Sequence, residues 1–201
     1  SVNHNPLPAN HIKVASIFSG CGGLDLGFKW AGFNLSYANE IDSEAAKTYE
    51  ENLGHAPVCQ DINTVDIEGI VDHDILIGGF PCQPFSMAGK RLGFEDARGT
   101  LFFHLASILQ HKSPKAFLFE NVPGLIDHEG GNTFRRIRGI IDACGYDLHY
   151  QTLNARNFGI PQARERLFMV GARKSEELDY KFPSVKTDEC TVRDTIDDLK
   201  A

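Results

Sequence analysis

Long apolar runs are missing from this sequence. The longest, around Ile75 to Phe80, is far too short to cross a bilayer, so no membrane span is expected. Paired cysteines are missing too. Cys21, Cys59, Cys82, Cys144 and Cys190 are odd in number, scattered, and form no C-x-x-C pair. That argues against a zinc site and a disulfide framework, and it suits a reducing cytoplasm. No metal is expected. An excess of basic charge is also absent: 20 Lys and Arg against 27 Asp and Glu leave a formal charge of -7. Any contact with a polyanion therefore has to come from local patches. The first eleven residues are polar, contain two prolines and lack the apolar core of a secretion signal. Neither an internal repeat nor a low-complexity stretch is visible.

What the chain has is an alternation of apolar runs and helical patterns, over 201 residues of which 42% are hydrophobic, enough for one sizeable core. Strands are predicted at Lys13–Phe18, Leu35–Glu40, Ile75–Gly79, Ala116–Glu120, Leu148–Leu153 and Leu167–Gly171, with a short one near Val58. Helices are predicted at Gly23–Ala31, Ser43–Asn52, Thr100–His111 and Thr133–Ala143. Ser43 reads as an N-cap, and Gly32, Gly54 and Gly145 sit where helices should stop. This spacing predicts an α/β fold with a mostly parallel sheet covered on both faces. The last two strands are joined by Asn154–Arg166, which shows no helical pattern, so they are expected to pair antiparallel at the sheet edge. Ser175–Ala201 differs in character, with eight acidic and four basic residues, little apolar periodicity, and room for a short helix at Thr191–Leu199.

The first strand runs into Ser19-Gly20-Cys21-Gly22-Gly23 and then into a helix. Glycines there let the backbone turn tightly and let a ligand approach the helix N-terminus. Glu40 ends the second strand, 20 residues after Gly20, where an acidic side chain accepts hydrogen bonds from ribose hydroxyls. A bare βα turn explains the glycines alone but not Glu40 at that offset. The first helical turn carries Asp25 and no Lys or Arg, which disfavours a pyrophosphate. A cationic sulfonium cofactor such as S-adenosylmethionine suits the turn better than a nicotinamide dinucleotide.

The most informative stretch is Ile75-Leu-Ile-Gly-Gly-Phe-Pro-Cys-Gln-Pro-Phe-Ser86. A buried strand ends in two glycines, and Cys82 follows between two prolines that restrict the local backbone. Ligands of open α/β sheets sit at the carboxyl ends of strands, so Cys82 is a candidate nucleophile. The loop Ser86–Gly99 adds Gly89, Gly93 and Gly99 for mobility and Lys90, Arg91 and Arg98 for phosphates. Arg156–Lys174 holds five basic residues against one acidic, with Arg164 and Arg166 at strand spacing on one side. Arg135, Arg136 and Arg138 lie on a helix and are given no function.

Phe18-Ser-Gly-Cys-Gly-Gly23, Gly79-Phe-Pro-Cys-Gln-Pro-Phe-Ser86, Glu120-Asn-Val122 and Gln162-Ala-Arg-Glu-Arg166, in this order and spacing, resemble the DNA (cytosine-5) methyltransferase family. The resemblance covers roughly Lys13 to Ala172, and Thr191-Val-Arg-Asp194 also resembles the family's segment beyond the last of these motifs. It implies a Rossmann-like methyltransferase fold with S-adenosyl-L-methionine as donor and S-adenosyl-L-homocysteine as product. It also implies that Cys82 attacks C6 of cytosine and that Glu120 contacts the pyrimidine at N3 and N4. Arg164 and Arg166 would lie near the flipped nucleotide and its phosphates. Phe18, Gly20, Cys21, Gly22, Gly23, Leu24, Glu40, Ile41, Asp61, Ile62, Pro81 and Leu101 would surround the cofactor. Gln83, Ser86, Lys90, Arg91 and Arg98 would meet double-stranded DNA, as in a restriction-modification methyltransferase.

The chemistry needs these residue types. Cytosine C5 is a weak nucleophile until a thiolate adds at C6 and makes it enamine-like. Charge placed on the ring then needs a proton or hydrogen bond at N3, which Glu120 supplies if burial keeps its carboxyl protonated. The reacting edge is enclosed in duplex DNA, so the base has to flip out. The expected division is a tail over 1–11, a catalytic cofactor-binding domain over 12–174, and a linker or tail over 175–201 toward a recognition domain that the sequence lacks. A fragment, or one subunit completed by a second polypeptide, is expected on that ground. The alternatives are a tRNA cytosine-5 methyltransferase, which Gly-Phe-Pro-Cys-Gln-Pro-Phe-Ser matches less well, and a non-catalytic regulatory paralogue, which would have no chemical need for Cys82 and Glu120. A nicotinamide-dependent oxidoreductase explains the glycine turn but none of Cys82, Glu120 and Arg166.

Overall fold

The sheet is built from parallel units closed at one side by an antiparallel hairpin. The structure, a computed structural model, describes residues 8–81, 100–184 and 190–196. Its strands are β1 (Lys13–Ile17), β2 (Asn34–Glu40), β3 (Val58–Cys59), β4 (Ile75–Gly79), β5 (Ala116–Asn121), β6 (Tyr146–Asn154) and β7 (Glu165–Arg173). They form one sheet in the order β3-β2-β1-β4-β5-β7-β6. The helices are α1 (Gly23–Trp30), α2 (Ser43–Leu53), α3 (Leu101–Lys112), α4 (Asn132–Ala143) and a short α5 (Val192–Ile196). None among the described residues is long and apolar enough to cross a membrane.

β1 to β5 pair in parallel, and β7 runs antiparallel to both β5 and β6. The reversed strand is thus inserted one place in from the edge. From β1 the chain winds outward through β2 to β3, then crosses back to place β4 on the other side of β1. Strand order reverses between β1 and β4, and such a switch point opens a crevice at the carboxyl ends of the strands. Four of the five residues of β1 are buried, as expected for a strand covered on both faces. The hairpin strands are longer than their apolar patterns indicate, because the β6–β7 ladder runs on through polar residues from Asn154↔Glu165 to Tyr146↔Arg173.

Asp42, not Ser43, caps α2: its Oδ1 accepts from the N–H groups of Glu44 and Ala45 at 2.8 and 2.9 Å. A carboxylate there satisfies two orphan donors and complements the helix dipole as well. Gly54 ends the same helix at φ 81, and Gly32 and Gly145 follow the ends of α1 and α4 with φ 84 and 87. α4 buries Phe134, Ile137, Ile140 and Ile141, leaving Arg135 and Arg138 exposed, the latter over the Tyr150 ring at 5.8 Å. In the segment beyond β7, Tyr180 lies 6.1 Å from the His149 ring of β6 and 5.0 Å from Phe182. Thr191 and Asp194 cap α5 reciprocally, at 2.8 and 3.3 Å.

One packing choice admits β7 beside β5. Gly171 stands opposite Phe117, whose fully buried ring stacks on Phe119 at 4.4 Å. A Cβ at position 171 would fall 2.0 Å from that ring. Gly171→Ala is therefore expected to lower the unfolding free energy by about 1–3 kcal/mol through overpacking. Gly27→Ala, on an open face of α1, is expected to raise it by about 0.5–1 kcal/mol. Urea unfolding of the two variants checks both signs.

Candidate active site

The turn after β1 is held in an unusual conformation. Phe18, Gly20 and Gly22 all have positive φ, at 57, 54 and 86. For Phe18 this left-handed backbone is strained, and the surroundings fix it. Ser19 binds the Asn39 carbonyl with both its N–H and its hydroxyl, at 3.0 and 3.2 Å. Glu40 accepts from the N–H groups of Gly20, Ile41 and Asp42 at 2.6, 2.9 and 2.9 Å. A carboxylate offers about four acceptor positions, so roughly one stays open for a ligand hydroxyl. Gly22 is packed, since a Cβ there would lie 2.5 Å from Leu53 and 2.9 Å from Tyr49. A Cβ at Gly20 or Gly23 would meet nothing within 4 Å, so the backbone there lies open to a ligand.

Under this turn lies a polar network that sequence reading did not foresee. Asp25 is 0% exposed, and its two carboxylate oxygens accept from Tyr49 Oη and Ser16 Oγ, both at 2.9 Å. Tyr49 in turn lies 3.4 Å from His55 Nε2. Burial pushes the Asp25 carboxyl up from its ordinary value, while the Tyr49 and Ser16 hydroxyls pull it down. The Tyr49 phenol is raised, first by burial and then by Asp25.

The opposite wall comes from β4, β5 and β7. Glu120 stands next to Gly79 on β4 and opposite Phe168 on β7. Arg166, two residues before Phe168, shares its face, and its Nε reaches Glu120 Oε1 at 2.8 Å. Oε2 of Glu120 lies 3.2 Å from where a Gly79 Cβ would sit, so the glycine clears space beside it. Both side chains are about a quarter exposed, at 26% and 25%. Glu120 is thus paired with a cation at the cavity wall. The neighbouring Asn121 is buried and donates from Nδ2 to the Phe80 carbonyl at 2.8 Å, while its Oδ1 accepts from the Val122 N–H at 2.8 Å.

A cavity of about 690 Å³ joins the two walls. It gathers Phe18, Gly23, Leu24, Glu120, Arg164 and Arg166 of the expected residues, over a floor of Ser16, Gly78 and Gly79. Glu40 and Gly20 join through their hydrogen bond, and Cys21 and Ile41 are exposed beside them. Asp61 caps the turn Ile62–Thr64, and Asn63 of that turn meets His104 of α3 at 3.1 Å. Ile62 belongs to the hydrophobic core, with Leu101 packed partly against it, and Pro81 is exposed. Sequence reading missed the apolar wall of Phe158, Ile160 and Phe168, whose residues lack a motif. Cys82, Gln83, Ser86, Lys90, Arg91 and Arg98 lie outside the described residues. The basic stretch Arg156–Lys174 is not one patch: Arg164 and Arg166 line the cavity, while Arg173 and Lys174 pair with Glu176 and Asp142 at the far end of β7. About 27 Å of strand separates the ends.

These residues fit an adenosine-bearing sulfonium compound. The cavity is of small-molecule size, the glycine cradle is open, Glu40 keeps an acceptor, and a carboxylate rather than a cation lies under the turn. Fold and site together define a Rossmann-like, S-adenosylmethionine-dependent methyltransferase architecture. The profile of the C-5 cytosine-specific DNA methylase family matches residues 12–201, and the chain belongs to that family. It is 49% identical over 171 residues to the type II methyltransferase M.NgoBI of Neisseria gonorrhoeae, covering 85% of this chain and 53% of that protein. It is 42% identical over 173 residues to M.HhaI of Haemophilus parahaemolyticus, covering 86% and 53%. Among solved structures, one assigned as a prophage-encoded DNA modification methyltransferase of Escherichia coli superposes with a TM-score of 0.75 at 29% identity, over 92% of this chain and 54% of that one. The chain spans about half the length of the curated relatives it matches.

The buried groups make the site's stability testable. Because burial raises the folded-state value of Asp25 above the unfolded one, its stabilising contribution is fully present below the ordinary carboxylate range and is lost as pH rises through the folded value. Asp25→Asn removes that titration, so its unfolding free energy should decline less than the wild type's as pH rises above the ordinary carboxylate range. Equal pH slopes for the two proteins would contradict this. Asn121→Ala strips the Phe80 carbonyl of its buried donor and is expected to cost about 1–3 kcal/mol of stability, measurable by thermal unfolding.

Proposed function

We propose that the protein transfers a methyl group from S-adenosylmethionine to C5 of cytosine in double-stranded DNA. The observation that carries this reading is one cavity bounded by the glycine turn of β1 on one side and the Glu120–Arg166 pair on the other. A cofactor at the first wall and a pyrimidine at the second would meet across Ser16, Gly78 and Gly79.

The cofactor, when bound, supplies an electrophilic methyl group. Cys82 lies two residues beyond Phe80, the residue that Asn121 tethers to the end of β5. Its thiolate adds to C6, forming a C–S bond and shifting the ring π electrons toward C5 and the N3–N4 side. Glu120 receives the pyrimidine edge there, accepting from the N4 amine or, when protonated, donating to N3. Arg166 fixes Oε1 of Glu120, leaving Oε2 on the side cleared by Gly79. Once C5 carries the methyl group, its proton would pass to water, the C5–C6 double bond would reform and the C–S bond would break, returning the thiolate. The flipped nucleotide would be gripped by Arg164 at the cavity and by Lys90, Arg91 and Arg98, with Gln83 and Ser86 beside the nucleophile.

The test is tritium transfer from labelled S-adenosylmethionine to DNA and to tRNA in parallel. Label is expected in DNA, with Cys82→Ser reducing it to background while cofactor binding stays intact, because a serine hydroxyl is a poor nucleophile without a strong base. Glu120→Gln is expected to lower transfer by about a hundredfold. Label in tRNA alone, or near-normal transfer by Cys82→Ser, would overturn the reading.

A further inference from the structure

We propose that Asp25 discriminates between the charged methyl donor and its neutral product. The inference rests on the cofactor reading above and goes beyond it in assigning a role to a buried residue at the cavity floor. Methyl transfer breaks the S–CH3 bond and leaves the electron pair on sulfur, so a sulfonium cation becomes an uncharged thioether. Donor and product are otherwise nearly the same molecule, and charge is the property that a protein can read between them.

The geometry locates that charge. Sulfur has to lie between the glycine turn and Glu120, because its methyl group must reach a base held at Glu120. The floor between those walls is Ser16 on β1 and Gly78 and Gly79 on the adjacent β4, with Ser16 paired to Ile77 and Ile17 to Gly78. Asp25 itself borders the cavity although it is 0% exposed, and Ser16 Oγ donates to its Oδ2 at 2.9 Å, so the carboxylate lies at the floor. Among the described residues, the other charged groups of the cavity are Glu120 and Arg166, which are paired with each other, and Arg164, which is exposed at the rim. His55 lies against Tyr49 at 3.4 Å and acts on Asp25 through space, as the smallest of the influences that lower its carboxyl.

The side-chain hydrogen-bond partners of Asp25 are hydroxyls, not cations. A fully buried carboxylate in such company carries a desolvation cost, and a ligand cation across the floor offsets it. Burial also keeps solvent and salt from screening the interaction. When the product forms, that attraction ends while the contacts to adenosine and to the amino-acid end persist.

The experiment is calorimetric binding of three ligands to the protein and its variants, with no activity readout. The ligands are S-adenosylmethionine, its analogue with an ammonium-bearing carbon in place of the sulfonium, and S-adenosylhomocysteine. Asp25→Asn is expected to weaken both cations by about tenfold and the product by less than about twofold. Tyr49→Phe, which removes one donor that holds the carboxylate ionised, should shift the same ratio in the same direction by less. It decides the matter if Asp25→Asn does not fold. Equal weakening of all three ligands, or an unchanged ratio, overturns the proposal while leaving the cofactor reading intact. No binding of any ligand to the wild-type protein overturns both.

Discussion

The pairing of β7 against β5 is the constraint on which the site depends. Every parallel strand of the sheet brings its carboxyl end to the crevice, so side chains at strand beginnings are carried to the opposite edge. Reversal of β7 makes an exception. Its first residues reach the crevice, and Arg166 arrives one diagonal step from Glu120 at the end of β5. Gly171 admits this arrangement farther along the strand by leaving room for the Phe117 ring. A packing accommodation in the core and an ion pair at the cavity are thus consequences of one strand's direction.

The two walls are tied by hydrogen bonds between residues remote in sequence. Asn121 joins the end of β5 to the residue following β4, across 41 positions, and Asp25 joins β1, α1 and α2 through Ser16 and Tyr49. Such contacts hold the strand ends and helices around the cavity in fixed relation. Their polar atoms are buried, so each bond is expensive to leave unmade. The glycine turn adds strain at Phe18, which Ser19 and Glu40 hold in place through their contacts with Asn39 and Gly20.

Much of this was legible in the sequence. Hydrophobic period and glycine punctuation located all seven strands and the long helices, because each was set by local burial and turn chemistry. The missing helical pattern in Asn154–Arg166 indicated the hairpin. What was not legible involved choices among neighbours or partners distant in sequence. Asp42 and Ser43 are both good caps, and only the backbone angle at Asp42 decides between them. Asp25 gave a sign of charge at the turn, but its partners Ser16 and Tyr49 had no signature. The basic run Arg156–Lys174 was misleading as a patch because an extended strand carries its two ends to opposite edges of the sheet.

The function proposed above rests on a bond between Cys82 and the base that Glu120 would receive. That bond is tested most directly with a DNA duplex containing 5-fluorocytosine, in which fluorine at C5 blocks the proton loss that releases the enzyme. Incubation with S-adenosylmethionine, proteolysis and mass spectrometry should find the modified nucleotide attached to the peptide containing Cys82. Catalytic methyl transfer to ordinary cytosine in DNA, together with no adduct or an adduct at a different residue, would contradict the account.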